Sequence, residues 1–564
     1  MTHEYVSLYR KTLAKRQHQY DASISSGEFD PCIYPWDSLP ALYFILAVAI
    51  APRLPLWLAK VTRYCAFILI VLHSAYIMSH HRMLWLGGGY AIGLANTWGT
   101  IMSGAILILN DAGRDFQRLE TRPINLGSGE SHQDGFATKA TSSDASPALD
   151  LMKCKVPRVH NPTEAKQIPV PDSDVPAAQP YKLVWQGYPY DSSWLHVIDW
   201  TVDLITSFRG VNWNHRIPIL PSMDAVPLTP RAKKPVSTAN NQSKRTSLPK
   251  QTLRSVQIRA LQDFIVGYLL LDFLKTTMMT DPYFLGLESL ESPTPWPWLA
   301  QLNDLIPIAT RFVRLLMSMA GVIAALIYIF SLSPLFFTAI LPCLVHITKI
   351  TKSPLLEPWM YPPCWYPLST SVLHSGLAGL WGKFWHQTFR YGISEPSRVL
   401  IQKFDLDRRG SAARIIQLLI AFSLSGSLHA GGSYTSYSIK PSHPLTGSLV
   451  FFLSQGLGIF VQSWIVRHLK RRLPGVKTIP RAVKRAMNLL CVVCYLYFTG
   501  PLLTNDFARC GIWLFEPIPF SFLRGSGFGP GGEGEGWWAW HQEGSRWIGW
   551  WSGNGWWERG MAIY

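Results

Sequence analysis

The sequence predicts an all-α polytopic membrane protein with about nine transmembrane helices (7–11). Three observations predict it. Charged residues make up only 15% of the 564 residues, against roughly 25% in soluble domains. Apolar residues reach 48% and aromatic residues 13%, including 24 Trp. The apolar residues also gather in runs close to the ~20 residues that cross a bilayer, separated by long polar loops.

Residues 1–38 are polar and carry no apolar core, so no cleavable signal is expected and the first span would act as its own anchor. Residues 39–109 hold the first transmembrane helices. One runs from Leu39 to Ala59, interrupted at Pro52-Arg53, and one from Tyr64 to Met78. A third, Met83 to Leu109, is rich in Gly and Ala, which suits close helix contact in lipid. Residues 110–180 turn polar and Pro-rich and are expected to form a disordered cytosolic insert. Residues 181–255 are dense in Trp and Tyr and read as a cytosolic or interfacial loop. Further spans are expected at 256–279, 312–330, 335–350, 412–428, 445–466 and 486–503, within a catalytic core of residues 256–503. A post-spanning segment, 504–524, follows. The tail, 525–564, is largely Gly and Trp, shows no amphipathic period and is assigned no function.

The formal net charge is +17. The basic residues lie beside apolar runs, at Arg231, Lys233, Lys234, Lys244, Arg245, Lys250 and Arg254, and again from Arg467 to Arg485. That placement fits the positive-inside rule and anionic lipid contact better than nucleic-acid binding. The sequon at Asn241 would then face the cytosol and go unglycosylated. Cys491 and Cys494 form a CxxC inside the apolar run LLCVVCYLYF, where a packing role is expected and no metal site is supported.

Ionisable groups in spans are costly and so mark candidate sites. His346, His374, His386 and His429 stand out. His429 follows a Ser/Gly run, SLSGSLHAGG, that leaves room for a substrate at Ser425 and Gly426. A neutral imidazole accepts a proton near physiological pH; the alternative is a core His bonded to a backbone carbonyl. In LWGKFWHQTFRY, residues 380–391, Trp385 and His386 sit among aromatics and cations, a pattern that reads first as an amphipathic interfacial helix with His386 and Arg390 on one face. Arg209 and Asn212 in FRGVNWN suit an anionic cytosolic ligand, or else a tight turn at Gly210 that docks the loop. Asp272 is a polar point that either lines a cavity or positions helices. His196-Val-Ile-Asp199 is read as a chance HxxD, and His80-His81 as a structural helix end.

WGKFWHQ followed by SLSGSLH, with the two histidines 43 residues apart, resembles the membrane-bound O-acyltransferase superfamily, in particular its fungal wax-synthase-like branch. FRGVNWN and LFEPIPFSFLRG strengthen the resemblance, which covers residues 181–525. It implies an internal catalytic tunnel, His429 as general base on an acceptor hydroxyl, and His386 orienting the acceptor or stabilising the oxyanion. Trp385-His386 stands where sterol and diacylglycerol acyltransferases carry Trp-Asn, so the role of His386 is less fixed than that of His429. No cofactor is implied to be bound. Acyl-CoA, most simply acetyl-CoA, would be co-substrate, and a hydrophobic terpenoid or meroterpenoid alcohol the acceptor, in the endoplasmic reticulum membrane. A long-chain acyl-CoA:fatty alcohol transferase is the alternative donor class. A polytopic transporter is the alternative of another kind, although no self-similar halves are visible.

Overall fold

The computed structural model describes residues 2–123, 181–221, 251–437, 440–472, 478–528, 536–540, 547–553 and 555–564. Most of the insert (124–180), six of the basic residues at 231–250, the Asn241 sequon, Cys154 and Lys477 lie outside them.

The described chain is mainly helical. Helix α1 (Thr2–Ser25) lies ahead of α2 (Leu39–Ile50) and α3 (Leu56–His80). Helix α4 (Tyr90–Ser103) continues through a π turn to Ile108. Helix α5 (Trp194–Thr206) belongs to the aromatic loop, and α6 (Leu253–Met278) packs along α7 (Ala309–Leu335). Then come the short α8 (Val372–Gly379), α9 (Arg390–Lys403), α10 (Ser411–Thr435), α11 (Val450–Arg472) and α12 (Arg481–Arg509).

Six helices among the described residues are long and apolar enough to cross a membrane: 56–80, 90–108, 309–344, 411–435, 444–472 and 481–509. Their outward faces are apolar and bare; Leu72, Leu457, Leu490 and Phe498 are all more than 60% exposed. A water-soluble surface would hide such a girdle, whereas hydrocarbon matches it. The chain is thus a multi-pass membrane protein.

The spans differ from the expected nine for local reasons. Pro52 and Arg53 end α2 after 12 residues, and the expected first two spans re-divide into this short helix and the 25-residue α3. The expected spans at 312–330 and 335–350 fuse, because the chain runs on past Pro334 into a π turn at Phe336–Ile340 and continues to Leu344. Helix α6 forms as expected but carries Arg254, Arg259, Asp263, Asp272 and Lys275. Asp272 accepts from the Ser521 hydroxyl at 2.5 Å and the Leu523 amide at 2.8 Å, which ties the post-spanning segment to the helix.

Two small sheets join distant segments. Strand β1 (Asp30–Tyr34) pairs parallel with β2 (His81–Arg82). Strands β3 (Arg118–Pro123) and β4 (Tyr181–Gln186) pair antiparallel at the two edges of the insert. Strands β5 (Ile548–Ser552) and β6 (Arg559–Ile563) form a hairpin, and β6 pairs antiparallel with β1, Cys32 opposite Ile563. The Gly/Trp-rich tail, to which no structure was assigned from sequence, is therefore folded at these strands. Trp36 donates from its indole nitrogen to the Arg559 carbonyl at 2.7 Å, and Trp85 packs on Trp547 with ring centroids 4.7 Å apart.

The crossing of α4 and α10 positions the site. A side chain at Gly93 would lie 1.9 Å from the Gly431 carbonyl oxygen, and one at Gly432 2.5 Å from the Tyr90 ring. Only glycine lets the two backbones come this close. Thr435 locks the crossing: its hydroxyl donates to the Gly89 carbonyl at 2.9 Å and accepts from the Gly93 amide at 2.9 Å.

Candidate active site

His429 lies in the last two turns of α10. Its ring stacks on Phe452 of α11, with centroids 4.6 Å apart and planes 10° from parallel. Its Nδ1 is 2.9 Å from the hydroxyl of Tyr90, the first residue of α4, and that hydroxyl donates to the His429 carbonyl at 3.1 Å. The imidazole is thus held on a face and at an edge by two different helices. Ser425 sits one turn earlier on the same side of α10, partly exposed. Gly426 instead faces Leu449, whose side chain would be 2.7 Å from an added Cβ, so its smallness serves helix contact.

His386 stands outside the regular helices. A π turn spans Leu380–Phe384, Trp385 is extended, and α9 begins only at Arg390. The expected amphipathic helix through LWGKFWHQTFRY is therefore corrected: His386 and Arg390 do not share a helical face. Side-chain hydrogen bonds replace the missing ladder. Gln387 donates to the carbonyls of Trp381 and Trp385 at 3.1 and 2.6 Å, and Arg390 donates to Gln387 Oε1 at 2.6 Å and to the Gly382 carbonyl at 3.0 Å. The His386 ring is walled by Phe330, Trp365, Trp385 and Phe389 at 5.3–6.0 Å. Its Nδ1 is sealed from solvent with no hydrogen-bond partner among the described residues.

A run of ring contacts connects the two histidines: His429 on Phe452, Phe452 on Trp381 at 5.7 Å, Trp381 on Trp385 at 5.6 Å, and Trp385 on His386 at 5.3 Å. Three intervening rings, Phe452, Trp381 and Trp385, thus join the two histidines. His346 and His374 face outward.

The FRGVNWN residues are largely spent on internal bonds. Arg209 donates to the carbonyls of Pro362 and Pro363 at 3.1 and 3.0 Å, and Asn212 donates to Asp203 at 3.2 Å and Ser353 at 3.1 Å. Gly210 has φ +60° and forms the tight turn weighed from sequence. The HxxD read as chance joins a buried polar cluster on α5. His196 Nε2 is 2.8 Å from Glu120, and Arg118 pairs with Glu120 and Asp199, each at 2.7 Å, and with Asp203 at 3.0 Å. The cluster fastens the aromatic loop to β3.

Sequence reading missed Tyr90, Phe452 and Asp506. Asp506 is buried beneath the site and accepts from Ser433 at 3.0 Å, Ser448 at 2.8 Å and the His443 amide at 2.7 Å. A carboxylate just past an apolar run is a legible signal; Tyr90, 339 residues from its partner, carries none.

The segment bearing both histidines and Phe452 is also where the chain is similar to known proteins. Residues 361–454 match the membrane bound O-acyl transferase family. The matched segment runs from the Arg209 contacts through α8, α9 and α10 into α11. The chain is 31% identical to acetyltransferase aurG of Calcarisporium arbuscula over 139 residues, 24% of this chain and 33% of that relative. It is 28% identical to acetyltransferase ataH of Aspergillus terreus over 166 residues, 28% of this chain and 52% of that relative. It is 24% identical to O-Mevalon transferase yanI of Aspergillus niger over 298 residues, 51% of this chain and 57% of that relative. The chain thus spans between a third and just over half the length of these curated relatives. No solved structure matches it.

Proposed function

We propose that the protein is a membrane-bound O-acyltransferase that moves an acyl group, most simply acetyl from acetyl-CoA, onto the hydroxyl of a hydrophobic alcohol such as a terpenoid or meroterpenoid. The observation that carries the reading is His429: an imidazole in an apolar helix, clamped by Phe452 and Tyr90, inside the segment that matches the membrane bound O-acyl transferase family. The acetyltransferase names of two relatives favour acetyl as the group moved. A multi-pass protein meets an alcohol dissolved in the bilayer without passing it through water, and the endoplasmic reticulum is the expected membrane.

In this reading His429 takes the proton of the acceptor hydroxyl as its oxygen attacks the thioester carbonyl carbon. The tetrahedral adduct collapses, the carbon–sulfur bond breaks, and the imidazolium returns its proton to the CoA thiolate. His386, lodged among aromatic rings, orients the acceptor or donates to the developing oxyanion. The aromatic walls limit hydrolysis of the thioester by water.

The test is acyl transfer in microsomes containing the protein, with radiolabelled acetyl-CoA or palmitoyl-CoA and a panel of terpenoid and fatty alcohols. Label should enter an organic-soluble ester from acetyl-CoA, and His429→Ala should lower the rate at least ~100-fold. Transfer from palmitoyl-CoA alone would turn the assignment to wax-ester synthesis. Transfer that survives His429→Ala would sink the base role.

A further inference from the structure

We infer that Tyr90 is a positioning residue that holds His429 in the Nδ1–H tautomer and so leaves the lone pair on Nε2. The inference rests on the reading of His429 as the base, but its central test does not.

The argument is a count of hydrogens. The Tyr90 hydroxyl has one hydrogen and three polar neighbours: the His429 carbonyl oxygen at 3.1 Å, His429 Nδ1 at 2.9 Å, and the Ser448 hydroxyl, whose own hydrogen goes to Asp506. The carbonyl oxygen accepts only, whereas an imidazole nitrogen is a donor or an acceptor according to tautomer. If the hydroxyl hydrogen pointed at Nδ1, lone pairs on the phenol and carbonyl oxygens would face each other at 3.1 Å. The carbonyl and the Ser448 oxygen can only accept here, so giving the hydrogen to either leaves Nδ1–H to donate to the phenol oxygen. In a neutral ring the free lone pair is then on Nε2.

Two further contacts keep the ring from escaping this arrangement. The near-parallel stack on Phe452 fixes its plane, and turning the ring over would aim a carbon at the hydroxyl. The Gly93–Gly431 crossing fixes the distance between the helices that bear Tyr90 and His429. The acceptor hydroxyl must then reach His429 from the Nε2 side, while Nδ1 is already occupied.

The experiment is 15N spectroscopy of the full-length protein in detergent or nanodiscs, labelled at its sixteen histidines, with the His429 signals assigned by their loss in His429→Gln. Wild type should show a protonated Nδ1 and an unprotonated Nε2 on His429. Tyr90→Phe keeps the ring and removes the hydroxyl. It should move the population toward Nε2–H and lower kcat about 10- to 100-fold, with KM for acyl-CoA changed by less than about twofold. A merely structural tyrosine would shift thermal stability and leave the tautomer alone. An Nε2–H ring in wild type, or an Nδ1–H ring that persists in Tyr90→Phe, overturns the inference. The wild-type spectrum alone can do so if the variant does not fold. Failure of the base role is a separate result, seen as transfer that survives His429→Ala.

Discussion

His215 shows how a single group outside the spans ties stability to acidity. Its ring sits between Tyr391 at 4.4 Å, Phe116 at 5.1 Å and Trp213 at 5.6 Å. Burial lowers its pKa to about 3, below the ordinary ~6.5. Between those values the unfolded chain binds a proton that the folded chain excludes, so stability rises with pH across this window. It is fully present above ~6.5 and declines as pH falls toward 3, by an order of 1–2 kcal/mol between pH 7 and pH 5. His215→Phe should flatten that acid limb in thermal unfolding followed in detergent. An unchanged slope would mean that His215 is reached by solvent and titrates normally. The two histidines of the candidate site were legible as candidates because imidazoles beside Ser, Gly and Trp in apolar runs are conspicuous. Tyr90 was not, since a tyrosine beside three glycines is unremarkable until α4 crosses α10.

Helices α4 and α10 make the sharpest prediction at the scale of elements. Gly93→Ala sets a methyl 1.9 Å from the Gly431 carbonyl oxygen, so the helices must separate, taking Tyr90 from His429. The expected outcome is at least a tenfold loss of transfer with a lowered melting temperature. Gly99, on the same helix, has open space around it. Gly99→Ala should keep activity and gain up to about 1 kcal/mol from helix propensity. Equal behaviour of the two variants would remove the crossing as the positioning device. The element pattern was legible where apolar runs were clean, as for α10 to α12. It was obscured where backbone devices intervened: the π turn that follows Pro334 and joins two expected spans, and the turn that breaks the helix before His386. Neither device has a hydrophobic period. Strand β6 escaped notice because its alternation repeats every two residues and involves Gly560 and Ala562, which carry little hydrophobic signal.

Across the whole molecule, Glu516 is a junction. It is 2.9 Å from Arg524 and from the Tyr9 hydroxyl, and 3.7 Å from Lys275, so it joins α1, α6 and the post-spanning segment. Burial alone would push its carboxyl pKa up, but Lys275 and Arg524 outweigh it and hold the pKa below the usual value. Glu516→Gln removes the carboxylate that Lys275 and Arg524 both face and should cost about 3–5 kcal/mol. Thermal unfolding in detergent measures it, and a loss under ~1 kcal/mol would show that water reaches the junction.

The pairing of β1 with β6 has a consequence for biosynthesis. Strand β1 meets β2 at His81–Arg82, but its Cys32–Tyr34 portion finds its antiparallel partner only at residues 561–563 of β6. Tyr9 likewise waits for Glu516, 507 residues later. Every span among the described residues is translated before this clasp can shut, so β1 keeps its β2 contact but leaves Cys32–Tyr34 open until β6 arrives. Chains cut short by a stalled ribosome would carry a completed helix bundle with an open clasp. Quality control could recognise such chains by the exposed edge of β1.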